Sequence, residues 1–145
     1  MLLRNGLIAL VITAAFPALA HDHATGVVKE RMEMMEAMAK RMKAIRARIA
    51  AKRDLAAIKG DAEAITAHAS HTAHLFPPGS MQRPTDAKAA IWRNWGEFER
   101  MAGALEAESR KLAQVSASDL DSLSRQFRAV SQTCGGCHEK YRTKR

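Results

Sequence analysis

Apolar residues along this chain recur at steps of three and four, and nowhere do they alternate. In a first segment Met35, Met38, Met42, Ile45 and Ile49 follow that spacing, and in a second Leu55, Ile58, Ala62, Ile65 and Ala69 do. A third runs through Ile91, Trp95, Phe98, Met101 (or Ala102), Leu105 and Leu112, and a fourth through Leu120, Leu123, Phe127, Val130, Cys134, Cys137 and Tyr141. Steps of three and four put residues on one face of an α-helix, whereas a half-buried strand would need a period of two. The pattern therefore predicts an all-α protein with four amphipathic helices.

The breaks between the stripes fit this division. Phe76-Pro77-Pro78-Gly79-Ser80 must end the second helix, because proline cannot continue one and disfavours helical geometry just before itself. Asp54 is read as the cap of the second helix, Pro84-Thr85-Asp86 as the start of the third, and Ser118 as the cap of the fourth. Gly60 falls inside the second helix and costs about 1 kcal/mol there relative to alanine; nothing in the sequence accounts for it. Four such helices pack as an antiparallel four-helix bundle. Alanines are frequent on the inner faces, which allows close helix approach or leaves room for something other than a side chain.

Residues 1–20 read differently. Met1-Leu2-Leu3-Arg4 carries one positive charge, an apolar run extends from Leu7 to Phe16, and Ala18 and Ala20 offer small residues to a signal peptidase. That is the layout of a cleaved secretory signal, so the expected functional domain is 21–145 and the expected location is the periplasm. No later stretch reaches the 18 apolar residues of a membrane helix, and none is expected in the mature form. The chain of 145 residues has a formal net charge of +8. Its basic residues are interleaved with Glu and Asp rather than massed in blocks, the pattern of a solvated mixed-charge surface. It points to partner proteins with acidic docking surfaces and gives no reason to expect nucleic acid.

The only two cysteines fall in Cys134-Gly135-Gly136-Cys137-His138. Cys-x-x-Cys-His is the attachment motif of a c-type haem. Two thiols add across the two vinyl groups on one porphyrin edge, and a two-residue spacer lets a helical turn span that edge. The histidine beside the second cysteine then turns its imidazole to the iron. Glycines at 135 and 136 keep bulk off the ring. Three other readings explain less. A disulfide leaves His138 without a part, a thioredoxin-like pair needs a strand-helix-strand setting, and a zinc site needs further ligands at matching spacing. Both cysteines lie on the inner stripe of the fourth helix, so one haem c would enter the core of the bundle.

With its haem motif near the C-terminus, the chain resembles the class II c-type cytochromes, the family of cytochrome c′ and of low-spin relatives such as cytochrome c-556. The resemblance is carried by the closing run Cys134 to Arg142, by Phe76-Pro77-Pro78-Gly79-Ser80 as the second-to-third-helix loop, and by Ala87-Lys88-Ala89-Ala90-Ile91-Trp92 as the start of the third helix. It implies a four-helix bundle with His138 as an axial iron ligand. It also implies Arg31 beside a haem propionate, Met35 four residues later on the distal side of the iron, and Arg142 near the proximal face. A homodimer through the first two helices is allowed by the same resemblance.

Read from the residues, Met35 has two uses. Methionines at helical spacing are ordinary flexible core packing, and at most one of Met35, Met38 and Met42 can reach the iron. A thioether is also a good haem ligand, and a Met/His pair raises the potential. Met35 as sixth ligand favours electron transfer through the one covalent haem. Met35 packed over an open site favours a five-coordinate protein that binds nitric oxide or carbon monoxide. A haem enzyme would need a distal acid–base pair, and the first helix offers methionine and alanine on that face, so no enzyme is expected. His68, His71 and His74 recur every third residue, which drifts around the helix and suits a polar flank better than a metal site. After cleavage, the amine of His21 and the His23 imidazole would form a square-planar set for Cu(II) or Ni(II); equal copper binding by a His23→Ala variant would exclude it. Trp92 and Trp95 need only core or haem packing.

Overall fold

A computed structural model describes residues 24–115 and 117–144. The expected leader and the His21–His23 copper set lie outside the described residues. The helices are α1 (Gly26–Ala51), α2 (Ile58–His71), the single turn α3 (Ala90–Arg93), α4 (Trp95–Gln114) and α5 (Leu120–Tyr141). Single 3-10 turns flank α2 at Leu55–Ala57 and Ala73–Leu75. Among the described residues there is no strand, only one antiparallel bridge between Ala87 and Arg142. The bundle consists of α1, α2, α4 and α5, with α3 as a lead-in to α4, and no described helix is long and apolar enough to cross a membrane.

The stripes read from the sequence face the interior. Ile45, Ile58, Ile65, Leu112, Leu123 and Val130 are fully buried and form the centre of the main core. Burying a side chain of this size contributes about 1.5–3 kcal/mol each. Ser109 completes the α4 stripe between Leu105 and Leu112. It is fully buried, its hydroxyl donates to the Leu105 carbonyl at 2.8 Å, and the Thr66 hydroxyl of α2 lies 3.0 Å from it. The α1–α2 pair is tied by Asp61, whose carboxylate accepts from Arg41 at 2.9 Å and Arg48 at 2.5 Å.

Four local expectations are revised. On α1 the buried register is Val28, Arg31, Met34, Met38 and Ile45, while Met35 is half-buried and packs against both core clusters. Asp54 does not cap α2: its backbone is left-handed (φ 55°) and its carboxylate takes a hydrogen bond from Arg48 Nε at 3.2 Å. The cap of α5 is Asp119, which accepts from the Ser122 amide at 2.9 Å, one residue after the expected Ser118. The third helix begins at Ala90 rather than near Pro84 and is interrupted at Asn94, whose side-chain amide turns back to the Ala90 carbonyl. A Cβ added at Gly60 would meet nothing within 4 Å, so packing gives no reason for that glycine.

Candidate haem site

A second, aromatic cluster closes the opposite end of the bundle. Phe76, Ile91, Phe98 and Tyr141 are buried there, with Met35, Trp92, Trp95 and Cys137 packed against them. Phe98 meets Phe76 edge-on at a centroid distance of 4.8 Å and Tyr141 at 5.5 Å. Edge-to-face contacts of this kind fix ring orientation as well as burying area.

Beside the cluster lies a cavity of about 350 Å³. One wall comes from α1, through Arg31, Met35, Glu36 and Ala39, and a second from Thr72 and Phe76 at the end of α2. The connecting segment contributes Pro84, Thr85, Asp86 and Ala87, and the floor is Ile91 and Phe98. The last wall is the end of α5, with Cys137, His138, Tyr141 and Arg142. Of the six residues singled out in the sequence, Arg31, Met35, Cys137, His138 and Arg142 thus meet at one cavity. Cys134 stands one turn earlier on α5, half-buried against the main core. No disulfide joins the two cysteines, and burial pushes both thiols above the ordinary thiol pKa.

His138 sits at the solvent end of this wall. Desolvation first, and the Arg142 charge second, lower its pKa and favour the neutral imidazole, the form that carries a free lone pair. A Cβ at Gly135 would meet nothing within 4 Å and one at Gly136 only Met101 Cε at 3.7 Å. The protein's own packing therefore does not require either glycine, which leaves the space to whatever lies along this face.

Arg31 is 3 % exposed, although it is a charged residue on the apolar face of α1. Its guanidinium donates to Ser80 Oγ at 3.0 Å, to the Ser80 carbonyl at 2.6 Å and to Thr85 Oγ1 at 2.6 Å, and it lies 4.8 Å from the centre of the Phe76 ring. Burial lowers its pKa, but the three acceptors satisfy the charge. These bonds pin the segment between α2 and α3 across the cavity, and Trp92 Nε1 secures the same segment by donating to the Phe76 carbonyl at 2.9 Å.

The other edge of the segment is stitched to the C-terminus. The Lys88 amide donates to the Tyr141 carbonyl at 2.9 Å and the Thr143 amide to the Asp86 carbonyl at 2.8 Å. Arg142 Nε lies 3.7 Å from Asp86, and Lys88 Nζ reaches the Glu139 and Lys140 carbonyls that α5 leaves unpaired. The Tyr141 hydroxyl donates to Glu97 at 3.1 Å, and Lys140 pairs with the same carboxylate at 2.5 Å. Sequence reasoning missed Ser80, Thr85, Thr72, Glu36 and Phe98, because no single-chain spacing signals that they meet. The histidines of this region lie elsewhere: His71 at the end of α2 and His74 in the following 3-10 turn are exposed, and no group of three His, Cys, Asp or Glu is gathered for a metal ion among the described residues.

The cavity is walled mainly by apolar side chains, with a thiol, an imidazole and a thioether converging on it, so its donor set fits a haem attached through cysteine. A haem-bearing four-helix bundle of this kind defines a class of cytochrome. Residues 26–142 match the cytochrome c′ family, and the chain belongs to it. A cytochrome c-556 from Agrobacterium tumefaciens is 30 % identical over 122 residues, which span 83 % of this chain and 99 % of that protein. A nitric oxide complex of a cytochrome c′ variant from Alcaligenes xylosoxidans superposes with a TM-score of 0.73 at 28 % identity, covering 82 % of this chain and 94 % of that one. A cytochrome c′ described for its ligand-controlled dimer dissociation superposes at 0.76 with 27 % identity, covering 81 % and 95 %. As a member of this family the chain is a haem protein that carries a covalent c-type haem.

Proposed function

We propose that this protein is a periplasmic electron carrier, exported by a cleaved leader over residues 1–20 and working as the domain 21–145. In this reading Cys134 and Cys137 form the thioethers, His138 is one axial iron ligand, Met35 is the sixth ligand, and Arg31 and Arg142 lie beside the haem edge. The observation that carries the reading is that Met35 from α1 and Cys137 and His138 from α5 open into one cavity. The full-length similarity to a cytochrome c-556 supports it.

Bound haem supplies a one-electron ferrous/ferric couple. The chain's own residues supply the rest. Partial desolvation and the Arg142 charge favour the neutral His138 imidazole, the form whose lone pair an iron would take. The aromatic floor presents packed apolar rings to the cavity, and three hydrogen bonds from Arg31 hold its loop wall. A scaffold that does not rearrange keeps the cost of electron transfer low. The protein does no chemistry on a substrate in this account, and its partners present acidic surfaces to its basic one.

A second reading is a five-coordinate protein that binds nitric oxide or carbon monoxide, with Met35 packed over an open site. The similarity to the Alcaligenes xylosoxidans protein solved with nitric oxide supports it. A homodimer, as the dimer-forming relative suggests, fits either reading.

Optical spectra of the oxidised and reduced holoprotein, before and after carbon monoxide, test the two. The first reading expects sharp, split reduced bands that carbon monoxide leaves unmoved, and a Met35→Ala variant that becomes reactive to the gas. A broad high-spin spectrum that shifts with carbon monoxide in the unaltered protein overturns it in favour of the second.

A further inference from the structure

The cavity lining holds two carboxylates, Glu36 and Asp86. Glu36 pairs along its own helix with Lys40, at 2.8 Å. Asp86 faces another element: Arg142 Nε, at the end of α5, lies 3.7 Å from its Oδ2. Arg142 follows His138 by one helical turn, its amide donates to the His138 carbonyl at 3.0 Å, and both residues line the cavity. The Asp86 carboxylate thus stands against the cation nearest along the chain to the expected iron ligand.

A separation of 3.7 Å is that of an ion pair rather than a hydrogen bond, and such pairs on surface side chains are ordinarily loose. Here both backbones are clamped. Thr85 Oγ1, just before Asp86, accepts from buried Arg31 at 2.6 Å and from the Ala87 amide at 3.2 Å. The Asp86 carbonyl accepts from the Thr143 amide at 2.8 Å, the Lys88 amide donates to the Tyr141 carbonyl at 2.9 Å, and Ala87 bridges to Arg142 itself. An aspartate has a short stem, so fixing its backbone nearly fixes its charge. Arg142 has the long stem, and its guanidinium goes where an anion holds it. The neighbouring cations are engaged elsewhere: Lys88 Nζ reaches the Glu139 and Lys140 carbonyls, and Lys140 pairs with Glu97.

We propose that Asp86 is a positioning residue for Arg142: its carboxylate holds the guanidinium at the cavity wall beside His138 and offsets its charge there. The proposal rests on reading His138 as the axial ligand, and it applies to six- and five-coordinate iron alike. A carboxylate cancels part of a guanidinium's potential only while the two stay together. Released, a half-exposed guanidinium on a flexible stem moves toward water. Asp86 therefore sets both the place and the net strength of the positive field at the ligand.

A double-substitution cycle on the holoprotein tests it: Asp86→Asn, Arg142→Gln and the two together, with the midpoint potential as readout. Asparagine keeps the size of Asp86 and its carbonyl, so the main-chain clamp stays. Ferric iron carries one more positive charge than ferrous, so removing a carboxylate raises the potential and removing a guanidinium lowers it. In the unaltered background Asp86→Asn also frees Arg142 toward water, which offsets part of the rise. The rise is expected to be smaller there than in the Arg142→Gln background, where no guanidinium is left to move. Equal rises in the two backgrounds would show Asp86 acting by its own charge alone and overturn the proposal. A second readout follows the guanidinium itself. In the ferric holoprotein the Arg142 Nε–H resonance carries a paramagnetic shift that falls steeply with distance from the iron. Asp86→Asn should move it toward its diamagnetic position, and Asp86→Glu should leave it near its unaltered one, while the Thr143 and Lys88 amides keep their exchange rates in both variants. An unmoved Arg142 resonance in Asp86→Asn would overturn the proposal. So would faster exchange at Thr143 in that variant, which would make Asp86 part of the clamp only. An iron spectrum that His138→Ala leaves unchanged would instead fail the ligand reading on which the proposal rests.

Discussion

Around Ile45, Ile58, Ile65, Leu112, Leu123 and Val130 the bundle is closed by aliphatic side chains from four regular helices. Around Phe76, Ile91, Phe98 and Tyr141 it is built from aromatic rings, an interrupted helix, a long connection and a buried arginine. The first region needs only the helical period to assemble, and its stability comes from burial. The second shapes a cavity that fits the haem, and its walls are held by directional bonds: the Arg31 bonds to Ser80 and Thr85, the Trp92 bond to the Phe76 carbonyl, and the stitching of residues 86–88 to the end of α5. Part of the bundle is a scaffold and the rest a socket, and they should respond differently to substitution.

The sharpest contrast is in the cofactor. Replacing Cys134 and Cys137 together by serine is expected to abolish covalent haem, read as loss of haem retention by the chain after acid–acetone extraction. Leu112→Ala, in the scaffold, should leave haem content and optical spectrum unchanged. It should nevertheless cost about 2–5 kcal/mol of unfolding free energy, through lost transfer energy and the cavity left behind. An altered spectrum in Leu112→Ala would break the division between the regions.

A smaller effect is expected at the socket's latch. Arg31→Met removes the donor to three oxygens, two of them on Ser80, and should cost about 1–3 kcal/mol. Amide exchange should quicken over residues 77–86 and stay unchanged in the middle of α2 and α4. Arg31→Lys should recover only part of this, because an ammonium cannot span the forked geometry.

The smallest expected effect is a pH dependence. Glu97, beside the socket, has its pKa lowered first by the Lys140 hydrogen bond and then by that of Tyr141, from an ordinary value of 4.5. The unfolded chain therefore binds this proton more tightly than the folded one. The stability that Glu97 contributes is present above its ordinary value and is lost as pH falls through the lower folded value. Glu97→Gln should flatten the acid limb of Tm against pH below about 4.5. Asp119, lowered by its bonds to Ser122 at the remote end, offers the matching control: Asp119→Asn should flatten the same limb without changing amide exchange at Tyr141.

Much of this was legible in one dimension. Steps of three and four define the stripes of α2, α4 and α5 because helical periodicity is local, and Cys134, Cys137 and His138 declare themselves because their chemistry depends on adjacency along one turn. The first helix shows where that logic stops. Its closely spaced methionines satisfy more than one stripe, and only the roll of α1 against its neighbours buries Met34 and Met38 while turning Met35 toward the cavity. The broken start of the third helix was likewise hidden, since the bonds that tie Asp86 and Lys88 down ahead of the helix come from residues at the far end of the chain.

The sequence by itself therefore determined a helical bundle and the five-residue motif for covalent haem, because both are written in contacts between near neighbours. Tertiary structure alone decided that Arg31 would find its acceptors 49 and 54 residues away. It decided that Met35 and His138 would share a cavity, and that residues 86–88 would be stitched to the end of α5 beside it. Each depends on how four helices roll and cross, and that is settled by the packing of all their faces together rather than by the period of any one.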